Sequence, residues 1–372
     1  MSKLHKYAFA DLYNMTSGIS STKEQAGHGA PFVSFSTVFN NYFLPDELPE
    51  LMDTSEREQE AYSIKKGDIL ITRTSETVDE LAMSCVALKD YPRATYSGFV
   101  KRLRPKTTGI AYDKYMAFFL RSKYFRKVIN SNTIMTLRAS FNEDIFSFLT
   151  LYLPDYEEQV KIGDMLYNME RKIIVNKKIN DNLEQMAYDT YMHLFFKKQP
   201  NGKFGEIIVE NNKSSVQVGE AKGKSGAYPF FTSGDAILEW NCSMVEGRSC
   251  FLNTGGNAGI KFYIGDAAYS TDTWCITANR NLADYLYLLL ISIKTELNQK
   301  FFQGTGLKHL QKPLLKDRMI YIPSEQEIKD FNSKVQPLMN MISANTRENK
   351  RLTNLRNWLL PMLMNGQAIV SD

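Results

Sequence analysis

Little in this 372-residue chain belongs to a secreted or catalytic protein. It has four cysteines, Cys85, Cys242, Cys250 and Cys275, with no CxxC pair and no histidine cluster nearby. That spacing argues against a zinc site or a disulfide framework and reads as free, buried thiols. Only four histidines occur (His5, His28, His193 and His309), none at metal-ligand spacing. There is no nucleophile elbow, no Asn-Pro-Pro-aromatic string and no carboxylate–carboxylate–lysine cluster. The segment "GEAKGKS" (Gly219–Ser225) imitates a phosphate loop, but it has three residues between its glycines where four are needed. Gly226-Ala227-Tyr228-Pro229 follows, and no helix would start there. The longest apolar stretch, Leu286–Ile293, is too short to span a bilayer. The opening "MSKLHKYAFADLYNM" lacks the apolar core of a signal peptide. These absences describe a cytoplasmic binding protein without a membrane partner. The net charge of +4 permits a nucleic-acid partner without requiring one, because a local basic face matters more than the sum.

What is present is repetition. "YLPDYEEQ" begins at Tyr152 and "YIPSEQ" at Tyr321, with their prolines 169 residues apart. At that offset Asn176 falls on Asn345, Leu183 on Leu352 and Leu194 on Leu363. At 170, "YMAFFLRS" (Tyr115–Ser122) falls on "YLYLLLIS" (Tyr285–Ser292), and Thr136–Arg138 on Gly306–Lys308. Farther upstream the offset drifts. "GDILITRT" (Gly67–Thr74) resembles "GRSCFLNT" (Gly247–Thr254) at 180, and the Tyr-Ser at Tyr96–Ser97 matches Tyr269–Ser270 at 173. The period is too long for a solenoid. It implies two copies of one module, with loops of different length on a shared framework.

Each copy closes on a long helix. From Glu157 to Phe196 there is no proline and one glycine, Gly163. Ile162, Leu166, Met169, Ile173, Ile179, Leu183, Met186 and Leu194 form one stripe. Ile328, Phe331, Val335, Leu338, Ile342, Leu352, Leu355, Leu359 and Met362 form the other, with Pro337 an expected kink or restart. A single stripe on so long a helix suits a two-helix coiled coil. Asn176 and Asn345 fall at matching stripe positions, where a buried amide fixes register. Each helix follows a proline and begins with acidic residues, which suits the positive end of its dipole. The second ends at Asn365-Gly366. The remaining segments read as mixed α/β, with strand-like runs such as "PFVSFSTV", "DILITRT", "SFLTLYLP", "SCFLNT" and "IKFYIG". Single helices are expected over Tyr112–Ser131 and Ala283–Phe302.

Two variable modules, each handing over to a helix at "(Y/L)xP…EQ", with "KKGDILITRTSET" (Lys65–Thr77) in the first, resemble the DNA specificity subunit of type I restriction–modification systems. The resemblance covers nearly the whole chain. It implies an α+β fold of two pseudo-symmetric target recognition domains separated by two antiparallel spacer helices. The expected boundaries are 1–154 for the first domain, 155–198 for the central helix, 199–323 for the second domain, 324–366 for the C-terminal helix and 367–372 for a tail. It also implies a non-catalytic role, reading the two halves of a split DNA target across a fixed gap. Partners would be double-stranded DNA, two modification subunits that bind S-adenosylmethionine and methylate adenine, and restriction subunits, where they exist, that use ATP with Mg. No cofactor or metal is expected on this chain. A two-headed protein-binding scaffold, or a standalone nuclease or methyltransferase, are the competing readings. Steep salt dependence on random duplex would separate a DNA reader from a scaffold.

Phosphates call for Lys and Arg, and base edges for forked or amide side chains. In the first domain the candidates are Arg73, Thr74 and Ser75 after "DILIT", then Tyr96 and Ser97, whose alternative is a place in the core. Arg138 and Lys308 fall at equivalent positions and are either matched phosphate contacts or two surface charges. In the second domain the candidates are Ser233, Asn253, Thr254, Gly255, Asn257, Lys261, Thr271 and Asp272, turn residues between strands, with Lys222 and Lys224 adding charge. "NTGGNAGIK" (Asn253–Lys261) is either a tight glycine turn or a loop that approaches a backbone closely.

Overall fold

The computed structural model describes residues 3–77, 80–131, 139–368 and 370. The chain divides into two compact units, Met1–Ile173 with Arg351–Asp372, and Ile174–Lys350.

In the first unit the sequence run "DILIT" forms Ile69–Thr72, buried on both faces, as an inner strand. The four-stranded sheet runs Tyr13–Ser17, Val100–Pro105, Ile69–Thr72, Ser84–Val86, antiparallel throughout. A second sheet places Ala26–Val33 between Glu50–Met52 and Thr95–Tyr96, the last pairing parallel. Gly67 takes a left-handed φ of 87°, and the next residue, Asp68, is fully buried. The forked guanidinium of Arg104 meets that carboxylate at 2.8 and 2.6 Å. The "GD" of the motif is thus a turn followed by a buried ion pair.

The second unit repeats this plan. Ile208–Glu210, Thr273–Ala278, Arg248–Asn253 and Ile260–Ile264 form an antiparallel sheet in the same order. Tyr228–Phe231 lies between Ile237–Trp240 and Ala268–Tyr269, again with one parallel pairing. Ile69 pairs with Leu103, and Cys250 with Ile276, so Ile69 and Cys250 are equivalent at an offset of 181. The matched glycines Gly67 and Gly247 keep the offset of 180, both at left-handed φ. One extra residue therefore enters between turn and strand, and a slip of one would exchange the two faces of the strand.

The helices that cover these sheets differ from the sequence reading in four places. Tyr112–Ser131 is two helices, Asp113–Phe119 and Lys123–Ser131. Between them Arg121 turns inward and donates to the carbonyls of Ser84, Val38, Phe39 and Asn41 at 2.6–2.9 Å. "PFVSFSTV" bends from a strand into a helix, Phe35–Asn40, because Ser34 accepts from the Thr37 N–H as its N-cap. "SFLTLYLP" likewise divides into the helix Glu143–Phe148 and the strand Thr150–Pro154. The helix expected over Ala283–Phe302 ends at Ser292; the short helix Lys294–Glu296 and a π-helical turn Leu297–Phe301 follow, and Phe302 begins a strand. Its apolar run is buried from Ala283 to Leu290, which explains its hydrophobicity without a bilayer. Among the described residues no helix is long and apolar enough to cross a membrane.

The long helices are Tyr156–Phe195 and Glu325–Met364, the second continuous through Pro337. The "EQ" of the two handover motifs proves to be two different devices. Gln159 is buried, donating to Ile110 and Pro154 carbonyls and accepting from the Tyr112 N–H. Gln326 is exposed and donates to Asp330, one turn on. In the second motif Glu327 takes the anchoring role. It accepts from Ser324 N–H and Oγ at 2.9 Å, Tyr321 and Lys198, while Ser324 Oγ caps the Glu327 N–H in return. Gly163 is a close approach: a side chain there would meet the Tyr115 backbone nitrogen at 2.7 Å.

Within each unit the long helices pack antiparallel. In the first, Glu170 pairs with Arg356, whose guanidinium also lies 5.0 Å from the Tyr42 ring. In the second, Asn176 donates to Glu348 at 2.7 Å and Asn349 at 2.9 Å, and Asn345 donates to Asn180 at 2.9 Å. Both register asparagines thus lie on the seam, but they bond other partners and not each other. The expected stripe is corrected at three positions. Ile179, Met186 and Leu355 are exposed, while Asn180, Ala187 and Tyr191 turn inward. An apolar stripe cannot foresee an amide that is buried because another amide meets it.

Candidate nucleic-acid interface

Part of the candidate set, Arg73–Ser75 in the first unit and Thr254, Thr271 and Asp272 in the second, lies where the sheet of each unit ends in loops. In the first unit Arg73 follows the inner strand. Its N–H donates to the Phe99 carbonyl at 2.8 Å, and its own carbonyl accepts from the Phe141 N–H at 2.7 Å. Thr74 and Ser75 continue as a short strand paired with Ser140 and Ala139. The Arg73 side chain is exposed and, among the described residues, has no hydrogen-bond or ion-pair partner. Phe99 beside it is 63% exposed. Phe99 lies two residues beyond the candidate Ser97 and is not itself among the sequence candidates; an aromatic residue at a loop tip is the signal that could have found it.

Tyr96 is a different case. It is fully buried, and its hydroxyl bonds Thr16 Oγ1 at 2.9 Å and the Ser17 carbonyl at 3.2 Å. Burial also raises its pKa. Tyr269 does the same in the second unit, donating to the Asn212 carbonyl. The repeated Tyr-Ser is therefore a fastening of the edge strand's end, and Tyr96 is removed from the base-contact candidates. Ser97, also buried, donates its N–H to Val33 as Ser270 does to Phe231. Arg138 lies outside the described residues.

In the second unit the same backbone frame recurs. The Thr254 N–H donates to the Asp272 carbonyl at 3.0 Å, and the Leu310 N–H to the Thr254 carbonyl at 2.9 Å. Thr254, Thr271 and Asp272 line one cavity of about 370 Å³ with Glu210, Lys213 and Lys312. Lys213 and Lys312 escaped the sequence reading, since neither lies in a glycine-rich turn. Lys312 stands 4.9 Å from the Trp274 ring, and burial, aided by Lys316 and Lys213, lowers its pKa. Burial pushes the Glu210 carboxyl up, but hydrogen bonds from Lys316 and Trp274 outweigh it and hold it below the ordinary range. Gly255 bridges to His309, and Gly256 donates to the Lys308 carbonyl, so Lys308 joins this edge with its side chain exposed.

Other candidates are engaged within the protein. Lys261 donates to the carbonyls of Thr232 and Gly234, and burial lowers its pKa, so its ammonium closes the turn that holds Ser233. Asn253 donates to the Asn257 carbonyl at 2.6 Å and packs on Gly259, which makes "NTGGNAG" a self-bonded glycine turn. Lys224 stands 4.8 Å from the Trp240 ring, and Lys222 is exposed. Neither lines the cavity. Cys85, Cys250 and Cys275 are free and buried as expected, whereas Cys242 is exposed in a loop.

A family model described as the type I restriction modification DNA specificity domain matches residues 6–185 and 197–354. The chain belongs to this family. It is a DNA specificity subunit of a type I restriction–modification system, a non-catalytic component. The MjaIX specificity subunit of Methanocaldococcus jannaschii is 22% identical, with 94% of this chain and 89% of that protein covered. The HindI specificity subunit of Haemophilus influenzae is 21% identical, with 90% and 94% covered. The crystal structure of an S subunit from M. genitalium has the same fold at a TM-score of 0.65, with 14% identity and 97% and 96% of the two chains covered.

Proposed function

We propose that this specificity subunit reads a bipartite DNA target, one half with each unit, across an unread gap set by the long helices. The supporting observation is the repeated frame. Two sheets of identical strand order end in one loop pair each, Arg73 with Phe99 and Thr254 with Asp272. One frame used twice with different side chains suits two unlike half-sites. In this reading residues 1–154 and 199–323 are the recognition domains, 155–198 and 324–366 the spacers, and 367–372 a tail. The contact set is Arg73, Thr74, Ser75, Thr254, Gly255, Thr271, Asp272 and Lys308, with Lys222 and Lys224 on phosphates. Asn176 and Asn345 hold helix register. Two modification subunits supply S-adenosylmethionine and adenine methylation, and restriction subunits, where present, supply ATP-driven cleavage, all in the cytoplasm. Co-expression with a cognate modification subunit, followed by sequencing of modified adenines in host DNA, tests this. A split motif with a fixed gap is expected. A stable complex that leaves the genome unmodified would contradict the reading.

A further inference from the structure

The two loop pairs share a backbone and differ in charge. Arg73 and Thr254 occupy one equivalent place, Phe99 and Asp272 the other, fixed by the matching hydrogen bonds to Phe141 and Leu310. Arg73 and Asp272 are both exposed, and among the described residues neither side chain has a hydrogen-bond or ion-pair partner.

We propose that Arg73 reads a guanine in one half-site and that Asp272 reads the amino group of a cytosine in the other. This assignment rests on the bipartite reading above. A guanidinium fork matches the two acceptors on the major-groove edge of guanine, and a carboxylate accepts from the cytosine amino group. Phe99 has no side-chain donor or acceptor, so hydrogen-bond readout at this pair falls to Arg73. In the second unit an exposed carboxylate on a surface that meets phosphates is repelled unless a base donor satisfies it. Lys213 and Lys312 line the same cavity as Asp272 and Glu210, so two cations stand against the two carboxylates and the lining carries no net negative charge toward a duplex. Thr254 donates its hydroxyl to the Asp272 carbonyl at 3.0 Å, which holds the carboxylate-bearing turn in place.

The test uses the full chain in complex with its modification subunit, as wild type, Arg73→Ala and Asp272→Asn. Modified-base sequencing should show one guanine position relaxed in one half for Arg73→Ala. It should show one cytosine position relaxed in the other half for Asp272→Asn. Discrimination at each relaxed position should fall roughly 5- to 150-fold. Competition binding against duplexes substituted at single positions supplies the same readout if a variant complex does not methylate. On random duplex the signs should oppose: Asp272→Asn binds tighter because a repulsive charge is lost, and Arg73→Ala binds more weakly. Unchanged discrimination in either variant, relaxation of the same half by both, or weaker random binding by Asp272→Asn would overturn the assignment. If wild type itself gives an unsplit motif, the bipartite reading fails first and takes the assignment with it.

Discussion

Lys101 and Trp274 hold the same place in the two sheets, opposite Ile71 and Leu252 of the inner strands. Lys101 lies 3.5 Å from Glu143, at the start of the short helix Glu143–Phe148. Trp274 lies under Lys312, at the start of the matching helix Lys312–Lys316. An ion pair in one unit is a cation–π contact in the other, with the cation moved from strand to helix. The fastening of Tyr96 to Ser17 and of Tyr269 to Asn212, by contrast, is kept. What the two copies share is hydrogen-bonded backbone and the groups that fasten it. Side chains facing outward or into neighbouring helices have been replaced freely, even with reversal of charge. A duplicated reader needs that division, because the frame must present loops alike while the loops must differ.

The largest way to break the comparison is at the inner-strand turn. Asp68 carries a buried ion pair in the first unit, whereas Ser249 stands at its strand position in the second, where the residue before it, Arg248, pairs with the buried Asp284. Asp68→Ala leaves the Arg104 guanidinium without its carboxylate and should cost about 3–5 kcal/mol. Ser249→Ala should cost far less. Amide hydrogen exchange, which resolves the sheets separately, measures both.

The handover motifs give the next contrast. Gln159→Leu strands two carbonyls and one N–H and should cost about 1–3 kcal/mol. Gln326→Leu, at an exposed position, should change stability by less than about 0.5 kcal/mol. Equal losses from both would mean that the two "EQ" strings do the same work after all.

Acid sharpens the same contrast. Hydrogen bonds from Lys198, the Ser324 backbone, Tyr321 and the Ser324 hydroxyl lower the Glu327 pKa from 4.5 to about 2. Because the folded value is depressed, its stabilisation is complete above about pH 4.5 and is lost as the pH falls toward 2. The first turn of the second long helix should therefore exchange faster across that window, and Glu327→Gln should abolish this part of the pH dependence.

The smallest effect concerns the thiols. Cys242 should react with a thiol reagent in the folded chain, while Cys85, Cys250 and Cys275 should react only after unfolding. Burial raises the pKa of Cys85 and Cys275 to about 12 and that of Cys250 well above its usual value. Mass analysis of the labelled protein counts the sites.

The repeat, the long helices and the inner strands were legible because periodicity and proline punctuation are local signals. The place of Tyr96 was not, because a Tyr in a turn reads alike whether its hydroxyl meets a base or a strand end 79 residues away. Lys261 and Asn253 misled for a related reason: their partners are carbonyls across a turn, and residue type does not reveal whether a polar group is already satisfied. Ile179 was chosen over Asn180 on hydrophobicity, and the seam chose Asn180 because Asn345 bonds it. Lys213 and Lys312 become neighbours of Asp272 only through the cavity they share.

The central claim is one unit, one half-site. Its most direct test is to replace residues 1–154 with those of another family member, keep the rest, and map modified adenines in cells that also carry the modification subunit. The expected motif has one half changed while the other half and the gap length stay. A change in both halves, or an unsplit motif before and after the exchange, would contradict it.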